Sequence, residues 1–162
     1  MKKLFRQGSL TIFLTAVTAV ATVLLSSCDM SMVYYHYDHT PVYGWEKNDT
    51  LRYDVDPIER AGEYYTELGL RTNGSYPFTT LYLIVEQTVL PSHRVTTDTI
   101  ACQLTNKDGR PNGQGVSYYQ YTMPVGTQTL VPGDSLHITI RHNMKRDILP
   151  GISDVGLMIE RE

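Results

Sequence analysis

Cysteine is scarce in this chain: Cys28 and Cys102 are the only two among 162 residues. A disulfide framework and a four-cysteine zinc site are both excluded by that count. Positive charge is not in excess either. Lys and Arg number 14 against 17 Asp and Glu, which argues against nucleic acid and anionic lipid headgroups, since both need a basic patch. The sequence holds no Gly-x-Ser-x-Gly elbow and no phosphate-cradling glycine loop. Beyond residue 28 there is also no stretch with the 3.6-residue periodicity of a long helix.

One long hydrophobic run is present. Leu10 to Leu25 is apolar or small and carries no charge, with Lys2, Lys3 and Arg6 ahead of it and Ser26-Ser27-Cys28 behind. The run is shorter than the ~20 residues that a spanning helix needs. A charged start, an apolar middle and small residues at the cut make a secretory signal, and a cysteine directly after them makes it the lipoprotein kind. Residues 1–27 are therefore expected to be a cleaved signal peptide. Cys28 is expected to carry a thioether-linked diacylglycerol, with its new amino group acylated by a fatty acid such as palmitate. No cofactor is expected beyond this covalent lipid. Several acyl chains together make an effectively permanent anchor, where one alone is marginal.

Removing the signal leaves 135 residues with 11 basic and 17 acidic side chains, a net charge of −6. That length suits one self-sufficient domain. Residues 28–32 form a lipidated N-terminus with a short tether, and residues 33–162 form the domain. Apolar residues alternate throughout it, Tyr, Thr, Val and Ile are frequent, and Gly, Pro, Asn or Asp interrupt roughly every ten residues. This pattern predicts an all-β fold: a single antiparallel β-sandwich of two sheets and about eight strands, jelly-roll or immunoglobulin-like. Glu63 to Thr72 is expected to turn Tyr64, Thr66, Leu68 and Leu70 to one face. Leu81 to Val85 reads as a central strand covered on both faces, Pro91 to Thr97 as a loop, and Val116 to Met123 as a strand closed by Pro124 and Gly126. Met144 to Leu149 is expected to form one helical turn.

Few residues propose a chemistry. His36 and His39 bracket Asp38 but fall on opposite faces of an extended strand, so no metal site is expected. Ser135 and His137 share a face while Asp134 opposes them, which does not assemble a catalytic triad. No catalytic residue is expected, and the chain reads as a non-enzyme. Cys102 sits at an apolar position without a nearby base and reads as an inert core thiol. Tyrosines cluster on three expected strands, and with Trp45 they offer aromatic surface for a protein partner or a glycan, with Trp45, Tyr119 and Tyr121 as the candidate contacts.

In order along the chain come the lipid-attachment cysteine Cys28, then Trp45 ahead of Asp49-Thr50-Leu51, then Leu70-Arg71 followed by Tyr76-Pro77-Phe78. Asp98-Thr99-Ile100 and the loop Asp108-Gly109 to Gly113-x-Gly115 come next, then Met144-Lys145 and Leu149-Pro150-Gly151-Ile152-x-Asp154-Val155-Gly156. This series resembles the GldH family, gliding motility-associated lipoproteins of Bacteroidota. Lys145 stands where the family usually has Arg. The resemblance implies a non-enzymatic structural or interaction component of the gliding motility and type IX secretion envelope machinery. Its position would be the outer membrane, lipid-anchored and facing the periplasm, because no acidic run follows Cys28. Its expected partners are the membrane, through the lipid, and envelope proteins of that machinery; the alternative is an envelope glycan-binding module. The repeated form Asp-[Ser/Thr]-aliphatic at Asp49-Thr50-Leu51, Asp98-Thr99-Ile100 and Asp134-Ser135-Leu136 reads most simply as an Asx turn opening a strand. It is also the tripeptide at which Bacteroidota O-glycosylate exported proteins, which makes Thr50, Thr99 and Ser135 candidate modification sites.

Overall fold

In a computed structural model, residues 31–162 of the chain are described. The expected signal peptide and Cys28 lie outside the described residues. Eight long strands carry the fold: β1 (Met32–His39), β3 (Leu51–Val55), β4 (Gly62–Asn73), β5 (Thr80–Leu90), β6 (Arg94–Gln103), β8 (Tyr118–Leu130), β9 (Ser135–His142) and β11 (Ile152–Arg161). Three two-residue strands supplement them: β2 (Trp45–Glu46), β7 (Gln114–Gly115) and β10 (Ile148–Leu149). The order is β1-β11-β4-β8-β7 in one sheet and β3-β9-β5-β6 in the other, with β2 and β10 as a separate pair.

Among the eight long strands the pairing is nested. The first lies beside the last (β1 and β11), the second beside the seventh (β3 and β9), the third beside the sixth (β4 and β8), and the fourth beside the fifth (β5 and β6). All are antiparallel. A long hairpin folded over on itself gives this arrangement, which is the jelly roll and not the immunoglobulin order.

Alternation explains why each strand lies as it does. On β4, Tyr64, Thr66, Leu68, Leu70 and Thr72 are buried, while Glu63, Tyr65, Glu67 and Arg71 turn outward. On β9 the buried set is Leu136, Ile138, Ile140 and His142. The two inner faces meet in one core containing Trp45, Tyr53, Leu68, Leu83, Leu130, Ile138, Val155 and Leu157. Removing each large aliphatic side chain here from water contributes ~1.5–3 kcal/mol. Some polar groups inside are matched, while Nε2 of the buried His142 has no hydrogen-bond partner among the described residues. The Tyr53 hydroxyl crosses between the sheets to the Val155 carbonyl at 2.9 Å, and Gln128 Nε2 reaches Gln87 Oε1 at 3.1 Å.

Four local expectations are corrected. Leu81 to Val85 is covered on one face only, since Tyr82 is exposed and Ile84 half-buried, and the strand continues through polar Glu86 and Thr88. Apolar identity alone could not separate an open sheet face from a covered one. The expected loop at Pro91 to Thr97 is mostly strand, with β6 starting at Arg94 directly after a tight Pro91-Ser92-His93 turn. Pro124 and Gly126 do not close a strand; β8 runs through them. The register slips between Thr66 and Glu67, so Val125 is an extra residue on β8, and this bulge accommodates the proline. No helix forms between Met144 and Leu149, where bends lead into β10. Gly151 follows with φ of 83°, and a Cβ there would strike the backbone of Tyr76.

Candidate functional site

The structure disperses the aromatic contacts that the sequence suggests. Trp45 is fully buried, its Nε1 donating to the Asp49 carbonyl at 2.9 Å and its ring set edge-on to His142 at 5.3 Å. Tyr121 is buried too, with its hydroxyl on the Leu104 carbonyl at 3.0 Å, and Tyr119 faces inward and is half-buried. Alternation along β8 is as expected but with the opposite face inward: Leu68 and Leu70 of β4 pair with Met123 and Tyr121, and Tyr118 is the residue left outside. Trp45 and Tyr121 are therefore core residues and cannot meet a partner at the surface.

Exposed aromatic surface lies instead on the outer face of the five-stranded sheet. Tyr37 on β1 stands opposite Gly156 on β11, which stands opposite Gly69 on β4. With no side chain on either glycine, the Tyr37 ring lies flat across both strands; a Cβ on Gly156 would sit 2.5 Å from the ring, and one on Gly69 would overlap the hydroxyl. Arg71 closes the other side of the ring, its guanidinium carbon 4.6 Å from the centroid. Tyr35 packs against Tyr37 with centroids 5.5 Å apart and is 54% exposed. Burial holds the Tyr37 phenol above its ordinary pKa, with the neighbouring Tyr35 adding to the shift and Arg71 opposing it. Further along the same face Glu67 is also held upward, by burial first and by the nearby Glu160 second. Asp154 is buried against His39 of β1.

The outer face of the four-stranded sheet is chemically different. Arg52 and Asp54 of β3, Ser135, His137 and Thr139 of β9, Tyr82, Glu86 and Thr88 of β5, and Thr97 and Thr99 of β6 share it by register. Thr50, two residues before Arg52, falls on the same side. The three candidate modification hydroxyls thus share one side of the molecule, and Thr99 is exposed while Thr50 and Ser135 are half-buried. Asp49-Thr50 and Asp134-Ser135 do open strands, whereas Thr99 sits mid-strand opposite Ile84, so the strand-opening explanation fails for that site. His137 Nδ1 lies 2.6 Å from Asp54 Oδ1, a cross-strand pair with no serine hydroxyl bonded to it among the described residues. His36 and His39 take opposite faces, each beside its own aspartate. Cys102 is buried, and burial pushes its thiol up to about 12.

Sequence reasoning missed Tyr37, Arg71 and the two glycines. The signal was there: a lone glycine inside a strand marks close approach by another group, and Gly69 and Gly156 are both such glycines.

Residues 32–159 match the sequence model of the GldH lipoprotein family. The chain is 26% identical over 155 residues to the gliding motility lipoprotein GldH of Flavobacterium johnsoniae, covering 91% of this chain and 96% of that protein. It is 27% identical over 148 residues to the gliding motility lipoprotein GldH homolog of Christiangramia forsetii, covering 86% and 90% respectively. Among solved structures, a family GH115 4-O-methyl-α-glucuronidase aligns with a TM-score of 0.42 at 14% identity, over 84% of this chain and 18% of that one.

Proposed function

The chain belongs to the GldH lipoprotein family, and from that premise we propose that it is a non-enzymatic interaction component of the gliding motility and type IX secretion machinery, anchored at the outer membrane. The family match across nearly the whole described domain carries this reading. Lipid on Cys28 is part of the proposal. Ser31, three residues beyond Cys28, has its carbonyl bonded to the Arg161 amide at 2.7 Å, so the bilayer would lie within ~10 Å of chain from that end of the sandwich. The opposite end then faces away from the membrane and bears Val42 and Tyr43, both well exposed. The absence of an acidic run after Cys28 supports the periplasm-facing leaflet.

On this reading the five-stranded sheet offers Tyr35, Tyr37 and Arg71 to a protein partner. Large amphipathic rings already held in place lose little freedom on contact, which is why such residues carry binding energy at interfaces. O-linked glycan on Thr50, Thr99 or Ser135 would cover the other sheet and leave the tyrosine face bare. The deciding experiment removes the protein in its host and measures surface spreading and secretion together. Loss of either, restored by the wild-type chain but not by Cys28→Ala, is expected; normal spreading with normal secretion would overturn the reading. Intact mass of the mature protein from the same cells tests the modification, and a mass equal to polypeptide plus lipid removes it.

A further inference from the structure

β8 is the longest strand, and only one of its two flanks is fully used. Against β4 it is paired from Tyr118 to Leu130, whereas β7 covers only Tyr119 and Gln120 on the other side. From Thr122 onward that second flank carries no strand among the described residues. Backbone donors and acceptors there have no ladder to join. One of them has recruited a substitute: Arg94 of β6, in the opposite sheet, donates Nη2 to the Thr129 carbonyl at 3.1 Å. The N–H and C=O of a residue in an antiparallel strand point the same way, and residues two apart agree. Thr127 and Thr129 therefore both aim their backbone groups at the open flank.

Two further observations describe what the flank would accept. None of the residues from Tyr118 to Leu130 carries charge at neutral pH, and the edge is blunted instead by Pro124, by the bulge at Val125 and by the Arg94 guanidinium on the Thr129 carbonyl. At the Thr122 end of the flank a cleft of about 820 Å³ opens between Ala101 and Gln103 of β6 and Thr122 and Met123 of β8, with Gln114 of β7 at its end. There the cleft leaves room next to β8 for another backbone.

We propose that the open flank of β8 docks an extended, uncharged segment of a partner protein, which adds to the five-stranded sheet as a strand continuing the line of β7. An amide of the incoming segment takes the place of the Arg94 guanidinium at the Thr129 carbonyl. The segment spans up to ~30 Å along Thr122 to Leu130 at ~3.3 Å per residue, its ladder interrupted at Pro124, which has no N–H, and at the Val125 bulge. A second copy fits poorly. Antiparallel pairing of β8 with β8 about a two-fold axis would send the two Ser31 ends in opposite directions, and two lipid anchors so placed could not share one bilayer. This last step rests on the anchor reading above; the edge geometry does not.

The test uses the full-length lipoprotein in its host cells, with the photoreactive residue p-benzoylphenylalanine in place of Thr127. After irradiation the adduct is digested and its partner peptide sequenced by mass spectrometry. The expected result is one adduct mapping to one linear segment of another protein, reduced at least tenfold by Thr129→Pro. That proline removes an N–H on the open flank and leaves the β4 ladder intact. If Thr129→Pro does not accumulate as folded protein, Thr129→Lys serves the same purpose by placing charge at the edge. No adduct, an adduct with a second copy, or an adduct that survives these substitutions overturns the proposal. The readout is independent of motility: a strain that spreads and secretes normally while forming the adduct would retire the functional reading and leave the docking site standing.

Discussion

The Tyr37 ring lies across Gly156, its partner on the neighbouring strand, with the ring held where a Cβ would stand 2.5 Å away. An aromatic side chain covering a glycine restores the contacts that the missing side chain would have made and shields the ladder hydrogen bonds beneath. Gly156→Ala is expected to expel the ring and lower stability by ~1–3 kcal/mol. In Tyr37→Ala the same glycine substitution should cost much less. Chemical denaturation of the four proteins in a double-mutant cycle measures the difference, and additive effects would show that ring and glycine are not coupled.

Trp45 is expected to behave as a core residue in every assay. Trp45→Ala should cost ~3–5 kcal/mol, combining lost burial with a cavity. As the sole tryptophan, it should also give blue-shifted emission that moves red in a single step with unfolding. Trp45→Phe should erase the emission while leaving the exposed face around Tyr35 unchanged, so partner binding measured with folded Trp45→Phe should equal that of the wild type.

Alkaline pH should unfold the protein. Burial raises the Cys102 thiol to about 12 and pushes the phenols of Tyr53 and Tyr76 further up. In each, the folded state keeps a proton that the unfolded state releases, so stability is complete below the unfolded pKa and falls as pH climbs from ~9 toward 12. Thermal scans between pH 7 and 11 should show the midpoint falling above pH 9. A thiol reagent at pH 8 should label Cys102 only after denaturant is added; rapid labelling of the native protein would contradict its burial.

Mild acid should act through His142. It is fully buried beside Trp45, and desolvation lowers its pKa. The unfolded state therefore binds a proton below ~6.5 that the folded state refuses, and stability declines as pH falls through that value. His142→Gln should remove this part of the acid slope between pH 6.5 and 5. An identical slope in both proteins would place its origin elsewhere.

The sequence made the sandwich legible because alternation is a local property: Tyr64, Thr66, Leu68 and Leu70 declare one face of β4 without help from the rest of the chain. The jelly-roll order was not legible, since nothing near Tyr34 announces that Ile159 will lie opposite it. Strand limits failed where punctuation residues met a bulge, as at Pro124 and Gly126. At the candidate surface the tyrosines were visible as a set, but which of them faced out depended on one bit per strand. For β8 that bit was settled by Leu68 and Leu70 on a different strand, and for Trp45 by the β2–β10 pair. Arg71 became notable only once Tyr37, 34 residues earlier, was folded against it.

The nested pairing of the strands has a consequence for the order in which the polypeptide can fold. Its innermost hairpin, β5 with β6, can close as soon as it emerges, and each outer pair must wait for a later stretch of chain. β11 lies between β1 and β4, so β1 stays without its neighbour until the stretch from Ile152 to Arg161 is free to fold. Long loop closure of this kind is slow. A chain that emerges from its N-terminus onward thus cannot complete its larger sheet ahead of time, and the topology itself holds β1 and β4 apart until β11 arrives between them.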